Sequence, residues 1–132
     1  MLLNTSKTKT MTFNFTNLYQ FSPSLKLEDE VIETISETKL LEVIINNTLS
    51  WDSNTKFIVK RANSRMRMLH KFSVPMEDLI TIFILYYIRS VLKQSCQVWH
   101  SSLTFENLTD IERVQKNALK ILLKDNYISY EQ

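Results

Sequence analysis

The spacing of hydrophobic residues changes near Ser50 and divides the chain into two predicted parts. Before this point apolar and polar residues alternate over short stretches, which is typical of β-strands. One stretch, residues 39–46, is β-branched and almost continuously apolar, as in a strand covered on both faces. We therefore predict strands at residues 11–15, 25–27, 31–35 and 39–46, and expect the first and last of them to form an open sheet.

After Ser50 the apolar spacing is helical, and it predicts helices over residues 53–72, 76–100 and 105–124. Pro75 separates the first two, and Thr104 is the expected N-cap of the third. The apolar stripe of the first helix consists of Ile58, Ala62, Met66 and Leu69. The predicted fold class is α+β, with a small antiparallel sheet or hairpin in the N-terminal third (1–50) followed by a three-helix bundle (51–132).

The composition is unusual in one respect, because the 132 residues include no glycine. About 7% glycine is ordinary. Its absence excludes the glycine-rich loops that bind nucleotide phosphates. It also predicts that Asn, Asp and Ser occupy the turns.

The single cysteine, Cys96, excludes a disulfide scaffold and fits a reducing intracellular compartment. The strongest apolar run covers residues 79–88, whereas a membrane-spanning helix needs about 20 residues. We therefore expect an intracellular protein with no membrane span.

No pattern of residues predicts an active site. His70 and His100 have no ligand-type neighbours at metal-binding spacing, so we expect no metal bound by them. Cys96 lies in an apolar helix without a visible base, as buried structural thiols do. The carboxylates of residues 28–33 are expected on a solvated turn. The sequence thus predicts no catalytic residues and no cofactor.

The first predicted helix carries a strong local charge, although the net charge of the chain is only +2. Residues 53–76 include no acidic residue. At 100° per residue, four of the basic residues lie within about 60° of one another, opposite the apolar stripe. These four are Lys56, Lys60, Arg67 and Lys71, while Arg61 and Arg65 border the stripe. Such a face predicts contact with nucleic-acid phosphates, with a plain solvated face and a membrane surface as alternatives. On the third helix, Lys116, Lys120 and Lys124 repeat every four residues.

Four stretches of the chain together resemble a known family. The stretches are Leu3-Asn4 with Lys7-Thr8-Lys9, Met11 and Phe13; Lys39 to Ile45 with Leu49-Ser50-Trp51; Ile88 to Leu92 with Val98-Trp99-His100; and Ile111 to Lys116 with Ala118-Leu119. In order and spacing they are similar to the C-terminal part of the reverse transcriptases of non-LTR retrotransposons, of the jockey and chicken-repeat kind.

This resemblance implies a last palm strand, a primer-grip-like hairpin and a helical thumb. In such polymerases the thumb holds an RNA–DNA duplex by its backbone, which would be the task of the cationic helix. Lys7 falls where the family has a palm lysine near the incoming nucleotide. DNA or RNA–DNA duplex, and the palm and fingers of a parent polymerase, are the implied partners.

Two departures from the family bear on activity. The Asp-Asp motif that binds Mg²⁺ in the parent enzymes lies upstream of the matching stretches, so the chain is expected to be a fragment that is inactive by itself. Glu42 also stands where the family has a glycine, and a carboxylate there would repel phosphates.

Two other hypotheses remain open. The amphipathic helices could form a small protein-interaction module. Residues 39–72 are also similar to a segment assigned to the N-terminal region of AlkB-type tRNA-modifying enzymes. The sequence contains neither the His-x-Asp…His triad of a 2-oxoglutarate dioxygenase nor the glycine-rich loop of a methyltransferase.

Overall fold

A computed structural model describes residues 3–16, 24–71 and 83–123. The chain forms two compact units, Met1–Ser50 and Trp51–Gln132. The fold class is α+β as predicted, with short strand pairs followed by helices. Outside the described residues lie Pro75, the start of the second predicted helix, Lys124 at the end of the third, and residues 17–23 between the first two predicted strands.

The first unit contains three separate strand pairs. Strands β2 and β3 pair antiparallel, as do β5 and β6, whereas β1 and β4 pair in parallel. The strands predicted at residues 25–27 and 31–35 are present in shorter form, and β2 and β3 form a hairpin. The strands are β1 (Lys9–Thr10), β2 (Lys26–Leu27), β3 (Glu30–Val31), β4 (Glu33–Thr34), β5 (Glu37–Leu40) and β6 (Val43–Asn46).

Two strand predictions were wrong. Residues 11–16 form no strand; the strand β1 lies just before them and pairs with β4, where Lys9 and Glu33 form an ion pair. Residues 39–46 are a hairpin and not one strand, because the chain reverses at Leu41–Glu42. The expected sheet between 11–15 and 39–46 therefore does not form.

The reversal at Leu41–Glu42 is a two-residue turn with both residues in the left-handed region. Their φ angles are 47° and 65°, as a type I′ turn requires. The usual sequence of such a turn is Asn-Gly or Asp-Gly, so the apolar pattern concealed it. Glu42 is exposed and its Oε2 lies 3.0 Å from Lys39 Nζ.

The lack of glycine affects the other turns as well. Left-handed φ angles occur at six described residues, all of them non-glycine: Glu28, Asp29, Leu41, Glu42, Leu49 and Ser95. Only Asp29 and Ser95 are of the predicted turn types. An ordinary L-residue in this region costs about 1–2 kcal/mol, so these turns store strain that glycine would relieve.

The second unit is helical. The predictions for α1 (Asp52–Lys71) and α4 (Phe105–Leu123) are confirmed. Thr104 is confirmed as N-cap, since its Oγ1 accepts a hydrogen bond of 3.3 Å from the backbone N–H of Asn107. Between α1 and α4 lie a π-helical turn (Phe83–Ile88), α2 (Arg89–Lys93), α3 (Cys96–Trp99) and a 3-10 turn (His100–Ser102).

The second predicted helix is interrupted near its end. Ser95 takes a φ of 51°, so α2 stops before it and α3 starts after it. The indole N–H of Trp99 donates to the Gln94 carbonyl at 3.0 Å and ties the two segments together. Trp99 is among the most buried side chains of this unit, so the break places its ring in the core.

The core of the second unit lies between α1, α2 and α4. The predicted stripe of α1 is buried at Ile58, Ala62 and Met66, while the side chain of Leu69 lies outside the described part. Facing residues that are also buried are Ile88, Val91, Leu92, Ile111, Val114 and Ala118. Helix α1 packs against both α2 and α4.

Helices α1 and α4 run side by side in the same direction. Near their starts, the side-chain Nδ2 of Asn107 donates to Asp52 Oδ1 at 2.8 Å. Near their ends, Met66 and Ile121 line one groove. The two links place the C-terminal ends of both helices together.

We expect Glu42→Gly to stabilise the β5–β6 hairpin by about 1 kcal/mol, because glycine adopts the left-handed conformation without the Cβ clash. Amide hydrogen exchange of β5 and β6 should slow by about fivefold, since 1 kcal/mol corresponds to about that factor. Thr38→Gly, within β5, is the matched control and should speed exchange. Faster exchange in Glu42→Gly would contradict this account of the turn.

Candidate nucleic-acid interface

Three basic side chains of α1 are exposed on one side of the helix. Lys56, Lys60 and Arg67 lie within about 40° of one another at 100° per residue, opposite the buried stripe. Lys71, the last residue of α1, belongs to the same side by its position, and its side chain lies outside the described part. We call these four residues the cationic face.

The charges of the cationic face are not neutralised by neighbours on their own helix. After Asp52, α1 contains no acidic residue. Ion pairs in the described part of the chain join Lys9 to Glu33, Lys39 to Glu42 and Asp110 to Arg113, and none involves Lys56, Lys60 or Arg67. Like charges four residues apart destabilise a helix by about 0.2–0.5 kcal/mol, which a bound anion would offset.

Arg65 does not belong to the cationic face, because its side chain packs against Tyr87. Its guanidinium carbon lies 4.0 Å from the ring centroid of Tyr87, and its Nη1 donates to the Tyr87 carbonyl oxygen. Arg65 is half-buried, so this stacking joins α1 to the segment that precedes α2. Arg65 therefore contributes to packing more than to an exposed surface.

Arg61 is also half-buried, and its guanidinium carbon lies 5.9 Å from the ring centroid of Phe57. It lies on the same side of α1 as Arg65, at the border of the apolar stripe. Of the six predicted basic residues of this helix, the structure thus places Arg61 and Arg65 apart from the cationic face.

Lys7 belongs to the first unit. It ends a 3-10 turn (Thr5–Lys7) and is exposed. The turn is capped by Asn4, whose Oδ1 accepts a hydrogen bond of 3.1 Å from the Ser6 amide. Lys7 thus belongs to a capped turn of the first unit, whereas the basic residues of α1 belong to the second.

A groove opens between the C-terminal halves of α1 and α4, with a volume of about 390 Å³. Arg67 of the cationic face is one of its walls. The other lining residues are Asn63, Met66, Asn117, Lys120 and Ile121. The sequence shows Lys120 in the lysine repeat of the third helix but does not place it beside Arg67, because the spacing within one helix does not say which helices are neighbours.

In the described part of the chain, no group of three or more His, Cys, Asp or Glu residues lies close enough together to hold a metal ion. None of the helices described has the length and apolar character needed to cross a bilayer. Cys96 is half-buried with a free thiol.

Arg65→Gln and Arg67→Gln should separate packing from surface charge, because each removes one positive charge from α1. We expect Arg65→Gln to lower the free energy of unfolding by about 1–2 kcal/mol through loss of the ring contact and the hydrogen bond to Tyr87. Arg67→Gln should change it by about 0.5 kcal/mol or less. Urea denaturation of the two variants measures the difference, and equal losses would contradict the assignment.

Comparison of the chain with protein-family models, with curated proteins and with solved structures gives no match. The resemblance to reverse transcriptases therefore rests on the four stretches quoted above and stays a hypothesis. What the chain does must be argued from its own surface, above all from the cationic face of α1.

Proposed function

We propose that this chain is the palm-end and thumb region of a non-LTR reverse transcriptase-like polymerase. Its own activity is to bind the sugar–phosphate backbone of an RNA–DNA hybrid or DNA duplex, without catalysing polymerisation. The observation that carries the proposal is the cationic face: exposed basic residues of one helix that contains no acidic residue after Asp52, opposite a buried stripe.

The length of the cationic face suits a nucleic-acid strand. Lys56 and Arg67 are eleven residues apart, which is about 16 Å along a helix that rises 1.5 Å per residue. One DNA strand carries a phosphate every 3.4 Å along the duplex axis, so this length spans about five phosphates. Contacts of this kind fix position and carry little sequence information.

The hairpin turn supports the resemblance independently of charge. The family has a glycine where this chain has Glu42, and Glu42 takes a φ of 65°, a conformation that favours glycine. The residue that the family has at this position is thus the one that this φ angle favours. The side chain departs from the family, and its carboxylate is paired with Lys39.

Catalysis is not part of the proposed activity. The resemblance places the Mg²⁺-binding carboxylates of the parent enzymes outside the stretches that match this chain. Phosphoryl transfer by two metal ions requires such carboxylates. The chain then serves as the part that holds the duplex, and a parent polymerase supplies the metal site.

Binding to an RNA–DNA hybrid should weaken steeply with salt. Each phosphate contact contributes about 0.9 to the slope of log K against log salt concentration. We expect the triple variant Lys56→Gln, Lys60→Gln, Arg67→Gln to reduce this slope by about 2–3. The slope is measured by fluorescence anisotropy of a labelled hybrid between 50 and 200 mM salt. Over this range the affinity of proteins that bind phosphates changes strongly.

The matched control removes three exposed charges outside α1: Arg89→Gln, Lys93→Gln, Arg113→Gln. It changes the net charge equally and should leave the slope within about one unit of the original value. Equal effects of the two triple variants would show that total charge and not the cationic face determines binding. No binding by the original protein at low salt would contradict the proposed function.

A further inference from the structure

The groove between α1 and α4 combines two kinds of hydrogen-bond donor around an apolar floor. Arg67 and Lys120 supply positive charge, Asn63 and Asn117 supply carboxamides, and Met66 with Ile121 supplies apolar surface. None of the described residues that line the groove is acidic. Its volume of about 390 Å³ is within the range of small-molecule sites.

This set of groups suits a phosphodiester with its sugar. A phosphate has several acceptor oxygens, and the planar guanidinium of Arg67 can donate to two of them at once. The Lys120 ammonium adds a second charge, and the carboxamides can bond the remaining phosphate and sugar oxygens. Met66 and Ile121 provide an apolar surface for the sugar, so that no polar group is left without a hydrogen-bond partner there.

Arg67 belongs both to the groove and to the cationic face, so the two surfaces are continuous at this residue. A strand that follows Lys56, Lys60 and Arg67 along α1 arrives at the groove where α4 contributes Lys120. The parallel arrangement of α1 and α4 is what places these residues at the same end.

We infer that this groove is a phosphate-binding subsite for one nucleic-acid strand, with Lys120 as a binding residue contributed by α4 and Asn63 and Asn117 as its polar walls. The inference rests on the proposed function, because the strand that reaches the groove is the one held by the cationic face. It adds to that function a second helix and a defined place for one phosphodiester.

Lys120 also has a structural explanation that a test must separate. It lies in the last described turn of α4, where a cation complements the partial negative charge of the helix end. A purely structural role would change the free energy of unfolding and leave nucleic-acid affinity unchanged. A binding role would change affinity and its salt dependence.

The experiment compares Lys120→Gln with Lys116→Gln, an exposed lysine one turn earlier on α4 that does not line the groove. Binding of a labelled RNA–DNA hybrid is measured by anisotropy at several salt concentrations, with thermal unfolding of each variant in parallel. We expect Lys120→Gln to weaken binding about three- to tenfold and to lower the salt slope by about one. Lys116→Gln should weaken binding less than about twofold.

A second measurement uses the unsubstituted protein, so that it does not depend on how a variant folds. The side-chain amide signals of Asn63 and Asn117 are followed by NMR during titration with a short oligonucleotide or with inorganic phosphate. We expect both signals to shift with the oligonucleotide at concentrations where inorganic phosphate has no effect. Equal shifts with inorganic phosphate would overturn the assignment to a strand and indicate a site for free phosphate.

The outcomes separate this inference from the proposed function. If Lys120→Gln binds like Lys116→Gln, or if the Asn63 and Asn117 signals do not move, the groove is not a subsite. The proposed function still stands in that case, provided that Lys56→Gln weakens binding. If the original protein does not bind the hybrid at low salt, both the function and the subsite are overturned.

Discussion

The burial of one side of α1 is the constraint on which the second unit depends. Ile58, Ala62 and Met66 are at most 6% exposed and pack where α1 meets α2 and α4. Burying a side chain the size of isoleucine or methionine contributes about 1.5–3 kcal/mol, so rotation of the helix about its axis is strongly opposed. Because that rotation is fixed, the basic residues on the opposite side must face outward together. The cationic face is thus a consequence of how the core is packed.

A second constraint sets the direction of α4. Asn107 is 6% exposed, and its side-chain carboxamide donates a hydrogen bond to the Asp52 carboxylate at the start of α1. A largely buried hydrogen bond to a charged group contributes more to the free energy of unfolding than an exposed one. Removal of one partner is costly because the other is left buried and unsatisfied. This bond and the shared core hold the two helices parallel. The arrangement brings Arg67 and Lys120 to the same groove, which neither helix would form alone.

The features of the fold that were predicted from the sequence are those that depend on the spacing of residues within one helix or at its end. The stripe of α1, the bounds of α1 and α4, and the Thr104 cap follow from local spacing and capping chemistry. The turn at Leu41–Glu42 and the break at Ser95 were missed, because both place ordinary residues in a left-handed conformation without the glycine that normally signals it. The groove was missed for another reason: it depends on which helices are neighbours and on their direction, which the spacing within each helix does not encode.

The most direct test of the central claim is a map of where an RNA–DNA hybrid contacts the protein. Backbone amide signals recorded by NMR at low salt, with and without a short hybrid, provide it residue by residue. The account predicts that the largest shifts follow Lys56, Lys60 and Arg67 along α1 and continue to Lys120 on α4, while the exposed charges of α2 change little. Shifts concentrated outside α1, or spread evenly over all exposed basic residues, would contradict the claim that this face is the nucleic-acid interface.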